Sequence, residues 1–322
     1  MLIRSVLFAT LMAAVFPNVE AQPASYPNRP IKIISPYPAG GAADTVARVV
    51  GQAMSEELGQ PIIVENRAGA DGNIGAKAVA ISEPDGYTLL LGDVGNLTMG
   101  PAVRRSTPYD SERDFAPISQ LVSAPNILVV HPSLPVTTFQ EFVSYAKANP
   151  NKINYASSGT GGSAHLAGEL LKRAVGIDIV HVAYKGAGPA VTDVIRGDVQ
   201  SMFGLSVVLP HVREGRLRPL ATTGLRRPAV LPQIPTIAEL GFPGFEATAW
   251  YGLLAPAGTP PAIVARLAEV SARAVKSAAI KAKLEAAGYE VIGSTPSEFT
   301  AYIKSEKAKW SDIVNTAGIK LE

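Results

Sequence analysis

Two glycine turns of one design constrain this 322-residue chain more than any other feature: Pro38-Ala39-Gly40-Gly41-Ala42-Ala43 and Gly159-Thr160-Gly161-Gly162-Ser163-Ala164. Each follows a short β-like run, Ile31 to Ser35 and Ile153 to Ala156. Each opens a helix-period apolar stripe, Val46, Val49, Val50, Ala53 in the first and Leu166, Leu170, Leu171, Ala174 in the second. The stripes stop at Gly59 and Gly176, where a left-handed C′ residue is wanted. A strand feeding such a turn predicts a helix N-terminus that presents unpaired N–H groups and the positive end of the dipole. That is an anion site made of backbone. Two of them predict a ligand held from two sides.

The first residues read as a targeting segment. Arg4 supplies the positive charge, Val6 to Phe16 an apolar stretch too short to span a membrane, and Val19-Glu20-Ala21 a small-residue cleavage site after Ala21. No later stretch reaches membrane-span length, so no direct membrane insertion is expected. About 300 residues remain, more than one core usually serves, so two lobes are expected. The absence of cysteine excludes disulfides, thiol catalysis and thiolate metal sites. A net charge of +2 implies no pull on nucleic acid.

Alternating β-branched runs and helical patterns read as parallel α/β, with strands at Ile31–Ser35, Ile62–Glu65, Thr88–Leu91, Ile127–Val130, Ile153–Ala156, Ile179–Val182, Val199–Phe203 and Leu220–Thr223. Thr138 with Glu141 forms a capping box, as does Thr295 with Glu298, and Thr259-Pro260 caps a third helix. Long helices are expected over 260–287 and 296–317. Segments around Gln120–Asn126 and Gly244–Trp250 read as two crossings between lobes, giving lobe I as 22–124 with 246–322 and lobe II as 125–245. One turn then sits on each lobe at the carboxyl end of a strand, where open α/β sheets bind ligands. Trp250 and Tyr251 suit the hinge and the core equally.

The candidate ligand contacts follow. Tyr37, Pro38, Ala39, Gly40 and Gly41 form the first turn, with Asp44 at its helix start; Ser157, Ser158, Thr160, Gly161, Ser163 and His165 form the second. Tyr184, before a third glycine turn, is a further cleft contact. The second turn also satisfies G-x-G-x-x-A, but the acidic residue a dinucleotide needs is misplaced: Asp178 precedes the next strand, so no cofactor is expected. A hydrolase would use Ser158 or Ser163 with His165 and Asp193, yet the nucleophile elbow is missing. His131, His165, His181 and His211 lack ligand spacing, so no metal site is expected.

Further motifs stand in order along the chain: Tyr26-Pro27-Asn28-Arg29-Pro30-Ile31, Glu65-Asn66-Arg67-Ala68-Gly69-Ala70-Asp71-Gly72-Asn73-Ile74-Gly75, Pro84-Asp85-Gly86-Tyr87, Tyr184-Lys185-Gly186 and Ala255-Pro256-Ala257-Gly258-Thr259-Pro260. With the first turn they resemble the periplasmic solute receptors of tripartite tricarboxylate transporters, the Bug receptor family of Gram-negative bacteria. The resemblance implies a two-lobe α/β periplasmic binding protein of Venus-flytrap form, type II-like, with a two-segment hinge. It implies a monomeric receptor that holds a small carboxylate through backbone amides and hydroxyls and passes it to a membrane permease of one large and one small subunit. A ligand sensor signalling to a membrane partner is the alternative. Carried over by motif, Ala39, Gly40, Gly41, Thr160, Gly161 and Ser163 would contact the carboxylate, and Tyr37, often Phe in the family, would be a wall. Two departures stand out. Gly204 replaces a frequent Asp, and Asp93, in Gly92-Asp93-Val94-Gly95-Asn96, puts an acid near the rim of the first lobe. The receptor is therefore not expected to favour citrate-like trianions.

Overall fold

The computed structural model describes residues 26–103, 106–204 and 206–317; the targeting segment and the cleavage point after Ala21 lie outside the described residues. In chain order, β1 (Ile31–Ser35), α1 (Ala42–Leu58), β2 (Ile62–Asn66), α2 (Asn73–Ala80), β3 (Thr88–Asp93), α3 (Gly100–Val103) and β4 (Phe115–Pro125) come first. Then β5 (Ile127–Val130), α4 (Phe139–Ala148), β6 (Asn154–Ser157), α5 (Ser163–Val175), β7 (Val180–Ala183), α6 (Ala187–Arg196), β8 (Ser201–Gly204), α7 (Leu209–Arg213) and β9 (Arg218–Thr222) follow. The chain ends with β10 (Thr248–Pro256), α8 (Pro261–Lys276), α9 (Ala278–Ala286), β11 (Glu290–Val291) and α10 (Pro296–Ala317).

Two sheets result, ordered β11-β4-β10-β3-β1-β2 and β7-β6-β8-β5-β9. They are mixed, not parallel. β1 pairs parallel with β2 and β3, whereas β10 runs antiparallel to β3 and β4. In the second sheet β6 is parallel to β7 and β8, and β5 antiparallel to β8 and β9. The cause is connectivity. A chain that leaves the first sheet along β4 and returns along its neighbour β10 must run the two in opposite senses. The segments read as crossings therefore lie largely inside these two long strands or at their ends.

The crossing itself is one residue deep on each side. Asn126 N–H donates to Thr223 Oγ1 (2.8 Å), and Asn126 Nδ2 donates to Ala247 O (2.9 Å). Thr223 in turn donates from N to Asn126 O (2.9 Å) and from Oγ1 to Ala247 O (2.8 Å). Asn126 and Thr223 are fully buried, so these bonds satisfy backbone groups that water cannot reach. Just beyond, Trp250 takes the core position: it is 0% exposed and meets Phe299 (5.5 Å) and Tyr302 (5.8 Å) edge-to-face. These partners lie on α10, so the last helix covers the first sheet.

Local signals placed most ends. The Thr138–Glu141 capping box closes reciprocally, and Gly59 and Gly176 end their helices at φ of 65° and 66°. Two details differ. Thr259 bonds back to Pro256 O, leaving Pro260 as the cap of α8. The long helix breaks at Ser277, whose ψ is 140° and whose hydroxyl bonds Ala274 O in competition with the helix.

Candidate functional site

The two turns are copies in geometry as well as sequence. Gly40 and Gly161 have φ of +81° and +82°, which a β-carbon disfavours. The next glycine caps each helix in extended conformation, Gly41 at φ −80° and ψ 177°, Gly162 at φ −87° and ψ 171°. Neither cap residue offers a side chain. Instead the residue four beyond the left-handed glycine clamps the turn from inside the helix. Gly40 N donates to Asp44 Oδ2 (3.0 Å), and Gly161 N donates to His165 Nδ1 (3.0 Å). The amides of Gly40 and Gly161, expected to face the ligand, are thus already paired. The donors left are those of the first helical turn, from Gly41, Ala42 and Ala43 on one side and Gly162, Ser163 and Ala164 on the other, which no helical carbonyl can reach.

The clamps differ in charge. Asp44 is 5% exposed; burial alone would push its carboxyl up, but bonds from Arg48, Gly40 N and Asn66 together hold it below the usual range. Asn66 also donates to Tyr37 O (3.1 Å), tying the turn to the end of β2. His165 is pushed down chiefly by burial, so the second clamp is neutral. Its ring stacks on His181 at 4.0 Å, and burial with His165 alongside drives His181 down to about 3. Ser157 Oγ donates to Gly159 O (2.8 Å), so at its contact with His181 Nε2 (2.7 Å) it must accept.

Several expected contacts are therefore placed elsewhere. Ser157 is fully buried with its hydroxyl engaged within the turn, because it ends β6 facing β7. His165 lies under the turn, not in front of it. Tyr184 reaches the turn only by backbone, through N–H to Ser157 O (3.0 Å); its hydroxyl donates to Asp193 (2.7 Å). Asp193 also pairs with Arg196, so Ser158 or Ser163, His165 and Asp193 do not assemble. Pro38, Ala39, Gly40 and Ser158 are exposed, while Gly41, Thr160 and Ser163 are half-buried. Gly204 lies buried in β8, where a β-carbon would stand 2.3 Å from Val208.

Asp93 is the largest correction. It is not on the rim: at the carboxyl end of β3 it is 9% exposed, because the chain turns inward over it as a single π turn, Gly95–Met99. Its Oδ1 accepts from Tyr37 Oη (3.0 Å) and Asn96 N (2.9 Å), while Asp93 N donates to Asn96 Oδ1 (3.1 Å). Burial, chiefly, pushes its carboxyl up to about 6. Asp71, in left-handed conformation at φ 52°, bears on Asp93 electrostatically and approaches the loop that follows β6. Its Oδ1 stands 3.1 Å from where a β-carbon on Gly159 would be. Asp71 thus stands near Gly159 of the second turn, and Asp93 is bonded to Tyr37 of the first.

Residues 46–319 match the model of the tripartite tricarboxylate transporter family receptor, TctC. The chain belongs to this family. The receptor is 38% identical over 300 residues to protein BugT of Bordetella pertussis, with 92% of each chain covered. It is similar to an R. palustris protein solved with adipate, at 36% identity and a TM-score of 0.87, covering 92% of this chain and 99% of that one. It is also similar to MatC from Rhodopseudomonas palustris with bound malate, at 33% identity and a TM-score of 0.83, covering 90% and 100%. Sequence reasoning missed Asn96, Asp71 and the Asn126–Thr223 pair of this receptor. Asn96 had a signal in Asp93-x-x-Asn96, an Asx-type spacing at a strand end.

Proposed function

We propose that this receptor works in the periplasm, capturing a small carboxylate between two lobes and delivering it to a membrane permease of one large and one small subunit. One observation carries the reading: two matched helix N-termini, each without a capping side chain, follow strands of different sheets, and loops of those two sheets approach each other at Asp71 and Gly159. The free amides of Gly41–Ala43 and Gly162–Ala164, with the hydroxyls of Thr160 and Ser163 and the ring of Tyr37, are the ligand contacts. Lobe I comprises 22–124 and 246–322 and lobe II 125–245, hinged at Asn126 and Ala247. The leader is removed after Ala21 and the mature protein is a monomer. The adipate and malate bound by the two solved relatives point to the same ligand chemistry. The proposed role is capture, not catalysis: His165 Nδ1 is taken by Gly161 N, and Asp193 by Tyr184 and Arg196, so neither stands ready to serve a serine nucleophile.

Capture proceeds by closure. A carboxylate docks on one helix terminus, and the second lobe adds its amides, so closure is driven only by contacts made better in the closed state. Ligand at 100 times its dissociation constant adds about 2.7 kcal/mol of stability, readable as a thermal shift. Replacing Gly161 by Val forces a β-branched residue to φ +82° and displaces the His165 clamp. Calorimetry with a panel of mono-, di- and tricarboxylates should then show binding lost at unchanged far-UV circular dichroism. Undiminished affinity in Gly161→Val removes the second turn from the site.

A further inference from the structure

The loop between α9 and β11, on the first sheet, touches the segment that follows β8 of the second. Tyr289 and Ser206 meet there through their hydroxyls at 3.4 Å, and Tyr289 Oη also donates to Ala42 O at 3.4 Å. A tyrosine hydroxyl has one proton. With that proton on Ala42 O, Tyr289 Oη must accept from Ser206 Oγ, so Ser206 is the donor of the pair. Burial pushes the ionisation of Tyr289 up, which keeps the proton in place. A relay from Ser206 through Tyr289 to Ala42 thus joins the second sheet to the N-terminus of α1, where Ala42 N–H is among the donors left for a ligand.

The surroundings fix the ring of Tyr289 independently of its hydroxyl. The residue is 3% exposed, and its ring meets Tyr251 of β10 edge-on at 6.2 Å. One position earlier, Gly288 at φ +88° brings bare backbone against the other sheet's unit: a β-carbon there would stand 3.0 Å from Leu209 Cδ1 and 3.7 Å from Val230 Cγ2. Gly288, Leu209 and Val230 line a small cavity together with Pro125 and Ile127, the residues on either side of Asn126. Rotation about that crossing moves Ser206 relative to Tyr289, whereas Tyr289 and Ala42 lie in one lobe and move together. Both O···O distances exceed the usual O–H···O range, which ends at about 3.0 Å. The relay is engaged and has room to shorten.

We propose that Tyr289 is a positioning residue for capture, its hydroxyl acting as a latch that joins Ser206 to the first turn of α1 in the closed receptor and lets go on opening. This rests on the two-lobe reading above and goes beyond it. Approach of the lobes shortens the Ser206–Tyr289 bond, so the contact is better made in the closed state and favours that state. Hydrogen bonds in series strengthen one another, so the same bond steadies the Ala42 end of α1, where a carboxylate docks. Loss of the latch should lower the closed-to-open ratio about three- to tenfold, the effect of one hydrogen bond.

The chain holds no cysteine, so spin labels at Glu56→Cys on α1 and Lys147→Cys on α4, both exposed, report the distance between the lobes by pulsed electron paramagnetic resonance. In the full mature chain without ligand, Tyr289→Phe keeps the ring and Ser206→Ala keeps the backbone. Each should move population to the longer distance, and the double variant should go no further than Tyr289→Phe alone. Ser206→Thr retains a hydroxyl and should match the parent. Melting curves report that each variant is folded; a merely structural role for the pair would lower them with the distances unchanged. Equal distance distributions in the parent and both folded variants, or effects that add in the double variant, overturn the latch. A parent that binds a carboxylate in the calorimetry above, while it and its variants share one distance distribution, keeps the capture reading and loses the latch.

Discussion

His165 does for the second turn what Asp44 does for the first, and the difference in charge has a measurable consequence. His165 and His181 are held neutral by burial, so the unfolded chain binds more protons than the folded one once pH drops below their ordinary value of 6.5. Stability is therefore lost as pH falls from 6.5 towards 3, where His181 titrates in the folded state. Asp93 acts in the opposite sense. Its carboxyl is raised from 3.8 to about 6, so folding costs most above 6 and the cost is relieved as pH falls through that window. The cost is on the order of 3 kcal/mol. Asp93→Asn should thus melt higher than the unaltered protein at neutral pH and show a steeper acid loss. Parallel melting curves for the two proteins between acid and neutral pH would sink the assignment.

Each turn is only as firm as the helix behind it. α5 approaches β6 at Gly168, where a β-carbon would stand 2.3 Å from the Tyr155 ring, and Tyr155 Oη bonds both Glu169 and His165 O. Gly168→Ala overpacks this contact and should cost about 1–3 kcal/mol in chemical denaturation; a cost below a few tenths would mean that α5 is not held there. The same scale shows what sequence patterns carry. β1, β3 and β5 were legible because β-branched runs end at turn residues. β4 and β10 were not, since Pro117, Ser119, Gln120 and Ser123 interrupt any alternation in a strand buried for most of its length. Their length comes from pairing with each other, which no local window contains.

At the scale of the molecule, the proposed hinge rests on the mutual hydrogen bonds of Asn126, Thr223 and Ala247. Opening requires rotation about backbone whose polar groups are satisfied mutually and are shut off from water. Asn126→Ala leaves Ala247 O short of one donor and should destabilise the protein by about 1–3 kcal/mol. It should also loosen the hinge, so that small-angle scattering shows a larger radius of gyration without ligand and the same radius with it. Equal radii in the unliganded variant and parent would place the hinge elsewhere.

The sequence by itself determined the two anion-ready turns, their helices and glycine stops, the α/β class and the family, because each is written in residues within a few positions of one another. The clamps that take the donors of Gly40 and Gly161 are equally short-range, four residues on, but no sequence pattern announces them. Tertiary structure decided where Asp93 lies. Asp93-x-x-Asn96 is a local turn signal, yet the acid is buried because that turn packs inward and the hydroxyl of Tyr37, 56 residues away, bonds it. The repeated turn supplies two matched helix N-termini, and the distant contacts decide which side chains stand beside them.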